Sequence, residues 1–245
     1  MIYVMSDIHG CYSQYKDLLK QAAFCDEDTL FVLGDVLDKG DEPIRLLQDM
    51  SMRPNVIPIL GNHEYMAVTV LQDMMQEITE ETCTTLLSPD FMSSYGYWIN
   101  DGGDTTLKQF LKLKQDEREA LLEYLEEFPL YEEISVGGRD YVLVHAGIEP
   151  YVEGKPIEEY TLHELIFKSP EGRESYFKDK TVIYGHTPTF ARGEEYDSKV
   201  FFGEGKINID CGAVYGKPLA LYCLDNGKCY YSPSCFPQIK SSNYK

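Results

Sequence analysis

The chain has few basic residues, and this shortage narrows the partners that it can bind. It carries 22 lysines and arginines against 41 aspartates and glutamates, which gives a formal net charge of −19. No run of Lys or Arg interrupts this excess, so we expect neither a nucleic-acid surface nor an anionic-membrane surface. Bound divalent cations can reverse the potential inside a cleft, so the acidic balance does not exclude a phosphorylated substrate.

Long apolar runs and paired cysteines are also missing. No stretch approaches the roughly 20 apolar residues that span a bilayer. The N-terminus enters a short apolar strand at once, without the basic n-region of a signal peptide. The seven cysteines are scattered and include no CxxC pair, which is typical of reduced thiols. A soluble, cytoplasmic chain is therefore expected.

Strands and helices alternate in the first half of the chain. Short apolar runs at Ile2–Met5, Leu30–Leu33 and Val56–Leu60 are separated by stretches with helical spacing at Tyr12–Ala22 and Ile44–Met50. Such a βαβαβ order predicts an α/β fold with a largely parallel sheet that is covered on both faces. Ligands of such a sheet bind at the carboxyl ends of its strands.

The pattern changes between about residue 64 and residue 128. Amphipathic helices such as Glu117–Phe128 replace the alternation there, and short strands return after Pro129. We interpret residues 64–128 as a helical insertion in a single catalytic domain, residues 1–245, because a chain with 43% hydrophobic residues can fill one core. The later predicted strands are Ile134–Val136, Tyr141–Val144, Val182–Tyr184, Ile207–Ile209, Leu219–Leu224 and Cys229–Tyr231.

Polar segments flanked by glycine follow several of the predicted strands. Each comes directly after an apolar run, so the strand ends would carry its side chains to one edge of a sheet. Two carboxylates, one amide and several imidazoles would meet there, and these are ligands for two metal ions. The segments are Asp7-Ile8-His9-Gly10, Gly34-Asp35-Val36-Leu37-Asp38-Lys39-Gly40, Gly61-Asn62-His63-Glu64, His145-Ala146-Gly147 and Gly185-His186-Thr187.

The spacing within these segments predicts how the ligands divide. Asp7 and His9 stand two apart on a predicted extended segment, so both side chains would leave one face and bind one ion. Asp35 could bridge two ions, and the second ion would take amide and imidazole ligands. Mixed oxygen and imidazole ligands fit Mn²⁺, with Fe or Zn²⁺ as alternatives, better than Ca²⁺. The predicted ligands of the second ion are Asn62, His145 and His186.

The predicted chemistry is metal-assisted phosphoester hydrolysis. Two ions held roughly 3.5–4 Å apart clamp a phosphoryl group and activate a bridging water. His63 would then be the general acid at the leaving-group oxygen, Asp38 would orient it, and Lys39 would contact the phosphate. A lone histidine more often satisfies a core hydrogen bond, but five such segments in order favour a joint site. His163 is excluded because it lies in a helical surface pattern.

These residues resemble the phosphoprotein phosphatase family of calcineurin-like metallophosphoesterases. That family's pattern reads DxHG, GDxVDRG, GNHE, HAG or HGG, and GHT, and the match runs from Asp7 to about Gly216. The resemblance implies a central β-sandwich flanked by helices and the activity of a short bacterial-type serine/threonine protein phosphatase. It also implies one ion on Asp7, His9 and Asp35, another on Asp35, Asn62, His145 and His186, and an acid pair of His63 and Asp38.

The departures from that family pattern concern phosphate binding. Lys39 stands where the family has an arginine, Leu60 replaces an arginine that often precedes GNHE, and Lys168 replaces one expected after HAG. Lysine offers phosphate a point charge where arginine offers a planar fork, so bidentate orientation is lost. The alternative for Lys168 and the nearby Arg173 is that they are solvated charges at a helix end. The predicted phosphate contacts are Lys39, Asn62, Lys168 and Arg173.

Three functions remain open on this evidence. The first is dephosphorylation of phosphoserine or phosphothreonine in proteins, which Asp38 and Glu64 favour within the resemblance. The second is hydrolysis of a dinucleoside polyphosphate or another small phosphorylated metabolite, because Tyr184–Pro188 and Ile207–Gly212 are similar to asymmetrical diadenosine tetraphosphatases. The third is a metal-binding scaffold that recognises phosphorylated partners without turnover.

The helical insertion emerges directly from a motif loop and could overhang the metals. Tyr97 and Trp98 are candidate contacts of such a lid, with packing as the alternative. The expected partner is a phosphorylated protein or a small phosphorylated molecule, without nucleic acid or membrane. The sequence pattern leaves the oligomeric state open.

Overall fold

The computed structural model describes residues 1–77, 79–170 and 176–234. Within these ranges the strands are β1 (Ile2–Met5), β2 (Thr29–Val32), β3 (Val56–Pro58), β4 (Tyr131–Val136), β5 (Arg139–Val144), β6 (Lys180–Tyr184), β7 (Phe201–Gly203), β8 (Lys206–Asn208), β9 (Ala220–Cys223) and β10 (Cys229–Tyr231). The α-helices there are α1 (Tyr12–Gln21), α2 (Pro43–Ser51), α3 (Asn62–Met75), α4 (Glu80–Leu86), α5 (Pro89–Trp98), α6 (Asp104–Phe110), α7 (Gln115–Glu126) and α8 (Leu162–Ile166). The first half has the predicted βαβαβ order.

The first sheet has the strand order β10-β9-β1-β2-β3. β1, β2 and β3 run parallel, with Tyr3 opposite Leu30 and Leu30 opposite Val56. β9 runs antiparallel to β1, and β10 runs antiparallel to β9. In this sheet the expected parallel order is therefore correct for β1, β2 and β3 only. β9 and β10 form a short hairpin, and such a hairpin joins antiparallel strands.

The second sheet has the strand order β4-β5-β6-β8-β7. β5, β6 and β8 run parallel, and the edge strands β4 and β7 run antiparallel to their neighbours. The predicted hairpin joins β4 to β5 through Gly137 and Gly138, whose φ angles are 58° and 77°. Glycine adopts positive φ without the clash of a Cβ, so this pair suits the tight turn.

Alternate residues of the central strands pack on opposite faces of their sheet. One face packs against helices and the other against the second sheet. In β1, Tyr3 and Met5 pack on the side of α1 and α2, whereas Val4 packs against the second sheet. In β5, Leu143 faces the first sheet and Val142 faces the side of α8. Side chains of a strand leave opposite faces with a period of two. The result is a β-sandwich flanked by helices, and the predicted α/β fold class is confirmed.

The parallel strands of both sheets end at one edge of the sandwich. The segments after β1 and β2 are joined by a hydrogen bond from the N–H of Asp7 to the carbonyl of Gly34 (3.2 Å). The ring Nδ1 of His145, which follows β5, donates to the carbonyl of Leu33 after β2 (2.7 Å). This bond links the second sheet to the first where the polar motifs lie.

Helices α3 to α7, residues 62–126, are called the helical segment below. Trp98, Phe110 and Leu122 of this segment pack into the same core as α1 and α2. The interpretation as an insertion at about residues 64–128 of a single domain stays a prediction. Among the described residues, no helix has the length and apolar character needed to cross a membrane. The expected cytoplasmic location stays a prediction as well.

Candidate metal and acid–base site

The segments that follow the strands bend through left-handed backbone. Six predicted site residues have positive φ, a conformation that residues with a Cβ rarely adopt. The prediction that Asp7 and His9 lie on an extended segment is therefore wrong. Left-handed turns, and not the alternation of side chains along a strand, set the directions of these two side chains. The six are Asp7 (52°), His9 (43°), Asp35 (53°), Asp38 (69°), Lys39 (63°) and His186 (67°).

Glu64 holds the loop after β2 in this shape. Its fully buried carboxylate accepts hydrogen bonds from the backbone N–H groups of Asp35 (2.7 Å), Val36 (2.8 Å), Leu37 (3.0 Å) and Gly61 (3.1 Å). These bonds favour the ionised carboxylate, while burial raises the pKa of Glu64. In the sequence analysis, Glu64 was one reason to favour a protein substrate. In the structure, its carboxylate positions the loop that carries Asp35.

His9, Asp35 and His63 form the first group of potential metal ligands, with ligand atoms that lie within 4.8 Å of one another. Oδ2 of Asp35 is 3.4 Å from Nε2 of His9 and 3.9 Å from Nε2 of His63. The Nδ1 of His9 donates to the carbonyl of Leu37 (2.8 Å). A neutral His9 ring therefore presents the lone pair of Nε2 to the site.

Asp35, His145 and His186 form the second group, again within 4.8 Å. Nε2 of His145 is 3.4 Å from Oδ1 of Asp35 and 3.1 Å from Nδ1 of His186. Oδ1 of Asn62 is 2.9 Å from both of these nitrogens. Because the Nδ1–H of His145 donates a hydrogen bond to the carbonyl of Leu33, a neutral His145 ring presents the lone pair of Nε2. Electron-pair donors thus converge here, and Asp35 belongs to both groups.

Burial disfavours the charged form of three rings of the site. It lowers the pKa of His9 and His63 well below the ordinary value and that of His186 to about 3, and the positive charge of Lys39 lowers all three. Burial also raises the pKa of Asp35 well above its ordinary value, and nearby carboxylates add to this shift. A divalent cation would favour both the neutral rings and the ionised carboxylate.

Asp7 lies beside the two groups without belonging to either. Its Oδ2 accepts hydrogen bonds from the N–H of His186 (2.9 Å) and the hydroxyl of Ser6 (2.5 Å). Its buried Oδ1 has no hydrogen-bond partner in the described part of the chain. Gly185 allows the Asp7 carboxylate to lie close to the backbone before His186, since a Cβ on residue 185 would lie 2.0 Å from Oδ2 of Asp7. Asp210, which follows β8, had no predicted role; it is a buried carboxyl whose pKa is raised by burial and by Asp7.

The residues present fit a divalent-metal site. An unpartnered buried carboxylate oxygen, a carboxylate shared by two groups, and ring nitrogens without protons are all donors that a cation satisfies. Oxygen and imidazole donors suit Mn²⁺, Fe or Zn²⁺. His63, predicted as the acid, joins the first group as well. The predicted ligands that the structure brings to this place are Asp7, His9, Asp35, Asn62, His145 and His186.

His63 and Asp38 form a buried pair next to these ligands. Nδ1 of His63 is 2.7 Å from Oδ2 of Asp38. Burial lowers the pKa of His63 and raises the pKa of Asp38 to about 8. Nδ1 is taken up by the contact with Asp38, whereas Nε2, the other ring nitrogen, is 3.9 Å from Asp35 Oδ2 and 3.5 Å from Asp101 Oδ2. Nε2 is the atom that can donate a proton outward.

The helical segment supplies further contacts to Asp38. The indole Nε1 of Trp98 donates to Oδ2 (2.8 Å), and the hydroxyl of Thr106 donates to Oδ1 (2.6 Å). Trp98 is fully buried, so it packs in the core and reaches the site through Asp38, whereas the neighbouring Tyr97 is 61% exposed. Thr106 was missed because its contact with Asp38 spans 68 residues of sequence, and no local pattern reports such a contact.

Lys39 places a positive charge beside the first group. Its Nζ is 3.3 Å from Nε2 of His9 and 3.8 Å from Oδ1 of Asp101, and only 8% of its side chain is exposed. Asp101 lies in the turn Ile99–Gly103 of the helical segment, to which the sequence assigned no role. The predicted phosphate contact Lys39 therefore lies at the site.

An open cleft of about 610 Å³ borders the second group and is lined by His186 and Lys168. The structure thus places the predicted phosphate contact Lys168 beside a predicted metal ligand. Arg173, the other predicted contact, lies outside the described residues. His163 is exposed and stacks on Phe167, with ring centroids 5.1 Å apart, as its helical surface pattern indicates.

A family model described as calcineurin-like phosphoesterase matches residues 1–209, which contain every predicted site residue. The chain belongs to the calcineurin-like phosphoesterase family. This membership confirms, at the level of the family, the prediction of a metal-dependent phosphoesterase. The identity of the metal stays a prediction. A solved structure described as a candidate diadenosine tetraphosphatase shares the fold, with a TM-score of 0.63 and 19% identity over 95% of this chain and 93% of that one.

Curated relatives of this calcineurin-like phosphoesterase have different names. The symmetrical bis(5'-nucleosyl)-tetraphosphatase of Buchnera aphidicola subsp. Schizaphis graminum is 35% identical over 89 residues, 36% of this chain and 33% of that protein. Serine/threonine-protein phosphatase 2 of Salmonella typhimurium is 28% identical over 212 residues, 82% of this chain and 88% of that protein. The match thus spans a third of the first relative and most of the second.

We predict that Glu64→Gln destabilises the fold. The amide nitrogen of glutamine would face backbone N–H donors, so the free energy of unfolding should fall by about 2–4 kcal/mol. Urea unfolding without added metal measures this, with Glu123→Gln, an exposed change on α7, as the control. Equal stability of the two variants would contradict the role given to Glu64.

We also predict that Asp35→Asn loses most of the bound metal, because both ligand groups share this carboxylate. After loading with Mn²⁺ and gel filtration, elemental analysis should find about two equivalents in the parent protein and a small fraction of that in the variant. His163→Ala, which changes the histidine outside the site, should keep the parent content. Unchanged metal in Asp35→Asn would contradict the assignment.

Proposed function

We propose that this calcineurin-like phosphoesterase is a metal-dependent serine/threonine protein phosphatase of the phosphoprotein phosphatase type. The position of His63 carries the hydrolytic part of the proposal. Its Nδ1 is 2.7 Å from Asp38, and its Nε2 is 3.9 Å from an oxygen of Asp35, the carboxylate common to both ligand groups. An acid at this place can reach the leaving-group oxygen of a phosphoester held beside the same groups.

In the proposed reaction, the oxygen of a water molecule bonds to phosphorus as the ester P–O bond breaks. The leaving oxygen takes the bonding electron pair together with the proton on Nε2 of His63, which gives a serine or threonine hydroxyl. The attacking water releases one proton to solvent, from which His63 is protonated again, and the other product is inorganic phosphate. Asp38 keeps the His63 ring in orientation through Nδ1 and stabilises its proton.

The native metal in this proposal is Mn²⁺, with Fe or Zn²⁺ as alternatives, because the donors are oxygen and imidazole. Divalent ions at such a site supply Lewis acidity and lower the pKa of coordinated water. The residues that would hold them are Asp7, His9, Asp35, Asn62, His145 and His186.

Positive charge for the phosphate oxygens comes from three features of the site. Lys39 lies 3.3 Å from Nε2 of His9, and Lys168 lines the adjoining cleft. Helix α3 begins at Asn62, so the positive end of its dipole points to the place where the ligands meet. In the proposal, Lys39, Lys168 and Asn62 therefore contact phosphate, and a contact by Arg173 stays a prediction.

Two observations support a protein substrate. The Salmonella relative named as a serine/threonine-protein phosphatase aligns over 88% of its own length. The cleft beside His186, which Phe167 to Pro170 also line, is open to solvent, so a phosphorylated side chain on a protein surface can enter it.

A groove in the helical segment favours a second candidate, hydrolysis of dinucleoside polyphosphates. The groove measures about 310 Å³, and the described residues that line it are all uncharged, among them Tyr65, Tyr97 and Phe167 with their aromatic rings. Phe167 also borders the cleft beside His186. Aromatic faces stack nucleobases, and the Buchnera relative is named as a tetraphosphatase. A nucleotide could therefore place its phosphates in the cleft and a base in the groove.

Competition between the two substrate classes tests the proposal. Chelator-stripped protein reconstituted with Mn²⁺ is given equal amounts of a phosphothreonine peptide and diadenosine tetraphosphate, and mass spectrometry follows the products. The proposal predicts dephosphorylated peptide as the main product. ADP, or AMP with ATP, in its place would support the second candidate, and neither product would indicate a scaffold without turnover.

Tyr97→Ala separates the two candidates further. If the groove binds a base, the loss of stacking worth about 1–3 kcal/mol should lower kcat/KM for diadenosine tetraphosphate about fivefold or more. The phosphatase proposal predicts that kcat/KM for the peptide changes little. Phe202→Ala, an exposed aromatic on β7, is the matched control for both substrates.

A further inference from the structure

The carboxylate that orients His63 is itself fixed from the helical segment. Oδ2 of Asp38 accepts from the indole N–H of Trp98 (2.8 Å), and Oδ1 accepts from the hydroxyl of Thr106 (2.6 Å). The backbone N–H of Asp38 donates in turn to Oγ1 of Thr106 (2.9 Å). All three residues are fully buried, so water does not replace these contacts.

A double-glycine turn lets both donors approach Asp38 at once. A Cβ on Gly103 would lie 2.5 Å from the indole ring of Trp98, and a Cβ on Gly102 would lie 2.6 Å from Cγ of Lys39. Gly102 has a φ of 99°, and its carbonyl accepts the backbone N–H of Lys39 (3.0 Å). The turn therefore holds the end of α5 and the start of α6 against the loop that carries Asp38.

The donors remove the rotational freedom of the carboxylate. With Oδ1 bound by Thr106 and Oδ2 bound by Trp98, the plane of the Asp38 carboxylate is set before His63 contacts it. His63 approaches the same Oδ2 through Nδ1 (2.7 Å). Because the imidazole ring is rigid, the direction of the Nδ1 contact also sets the direction in which Nε2 points. A change in the orientation of the Asp38 carboxylate therefore also changes the direction of Nε2, the atom that donates the proton.

We propose that Trp98 and Thr106 are positioning residues that aim Nε2 of His63 at the leaving-group oxygen. The helical segment then influences proton transfer through these two hydrogen bonds, and neither Trp98 nor Thr106 contacts the substrate. This inference rests on the proposed hydrolysis of phosphoesters, in which the leaving oxygen takes the proton of His63 as the P–O bond breaks.

The leaving group provides a test that a structural role would not satisfy. 4-Nitrophenolate departs readily without a proton, whereas phenolate depends on one. General acid catalysis contributes about 100-fold to 10,000-fold where it is needed. A misaimed His63 should therefore lower kcat for phenyl phosphate much more than kcat for 4-nitrophenyl phosphate, with little change in KM.

Trp98→Phe keeps an aromatic ring and removes the N–H, and Thr106→Val keeps the shape and removes the hydroxyl. For each Mn²⁺-loaded variant, we expect kcat for phenyl phosphate to fall at least about tenfold and kcat for 4-nitrophenyl phosphate to fall less than about threefold. His63→Ala should show the same selectivity in stronger form. Tyr124→Phe, which removes a buried hydroxyl elsewhere in the helical segment, should change neither rate.

Equal losses on both substrates, or no loss on either, would overturn the positioning role. Metal content and thermal unfolding are measured for each variant, and if Trp98→Phe fails to fold, Thr106→Val decides the outcome alone. A parent enzyme that hydrolyses neither aryl phosphate would overturn the proposed function and the inference together. An active parent with unselective variants would overturn the inference only.

Discussion

The site depends on left-handed backbone directly after parallel strands. Six predicted site residues have φ between 43° and 69°, and each such conformation costs about 1–3 kcal/mol and persists only where its surroundings fix it. Buried hydrogen bonds fix it here. Glu64 accepts four backbone N–H groups, while the carbonyls of Leu33 and Leu37 hold the rings of His145 and His9. The scaffold thus turns conformational strain into a fixed arrangement of ligands.

The fixed arrangement is electrostatically incomplete by itself. Burial disfavours charge on the histidine rings and on Asp35, yet carboxylate and lone pairs face one another within 4.8 Å. A cation satisfies both requirements, so metal binding and folding should be coupled. The second ligand group draws on both sheets through Asp35 and His145, and the acid pair draws on the helical segment through Trp98. The site therefore depends on all the packed layers at once.

The sequence predicted those parts of the molecule that local patterns encode. Short apolar runs placed β1, β2 and β3, and the polar segments after the strands do meet at one edge. The directions of individual side chains could not be predicted as well, because Asp7 and His9 have positive φ and not the extended geometry expected from their spacing. Long-range contacts were missed for a similar reason. The hydrogen bonds of Trp98 and Thr106 to Asp38 join residues 60 and 68 positions apart, and they arise only when the helical segment packs.

The carboxylate of Asp35 belongs to both ligand groups and should join them into one metal site. Anomalous diffraction at the manganese edge from crystals of Mn²⁺-loaded protein can locate the ions. We expect two anomalous peaks, one beside His9 and the other beside His145 and His186, with Asp35 in contact with both. A single peak, or two peaks that leave Asp35 uncoordinated, would contradict it.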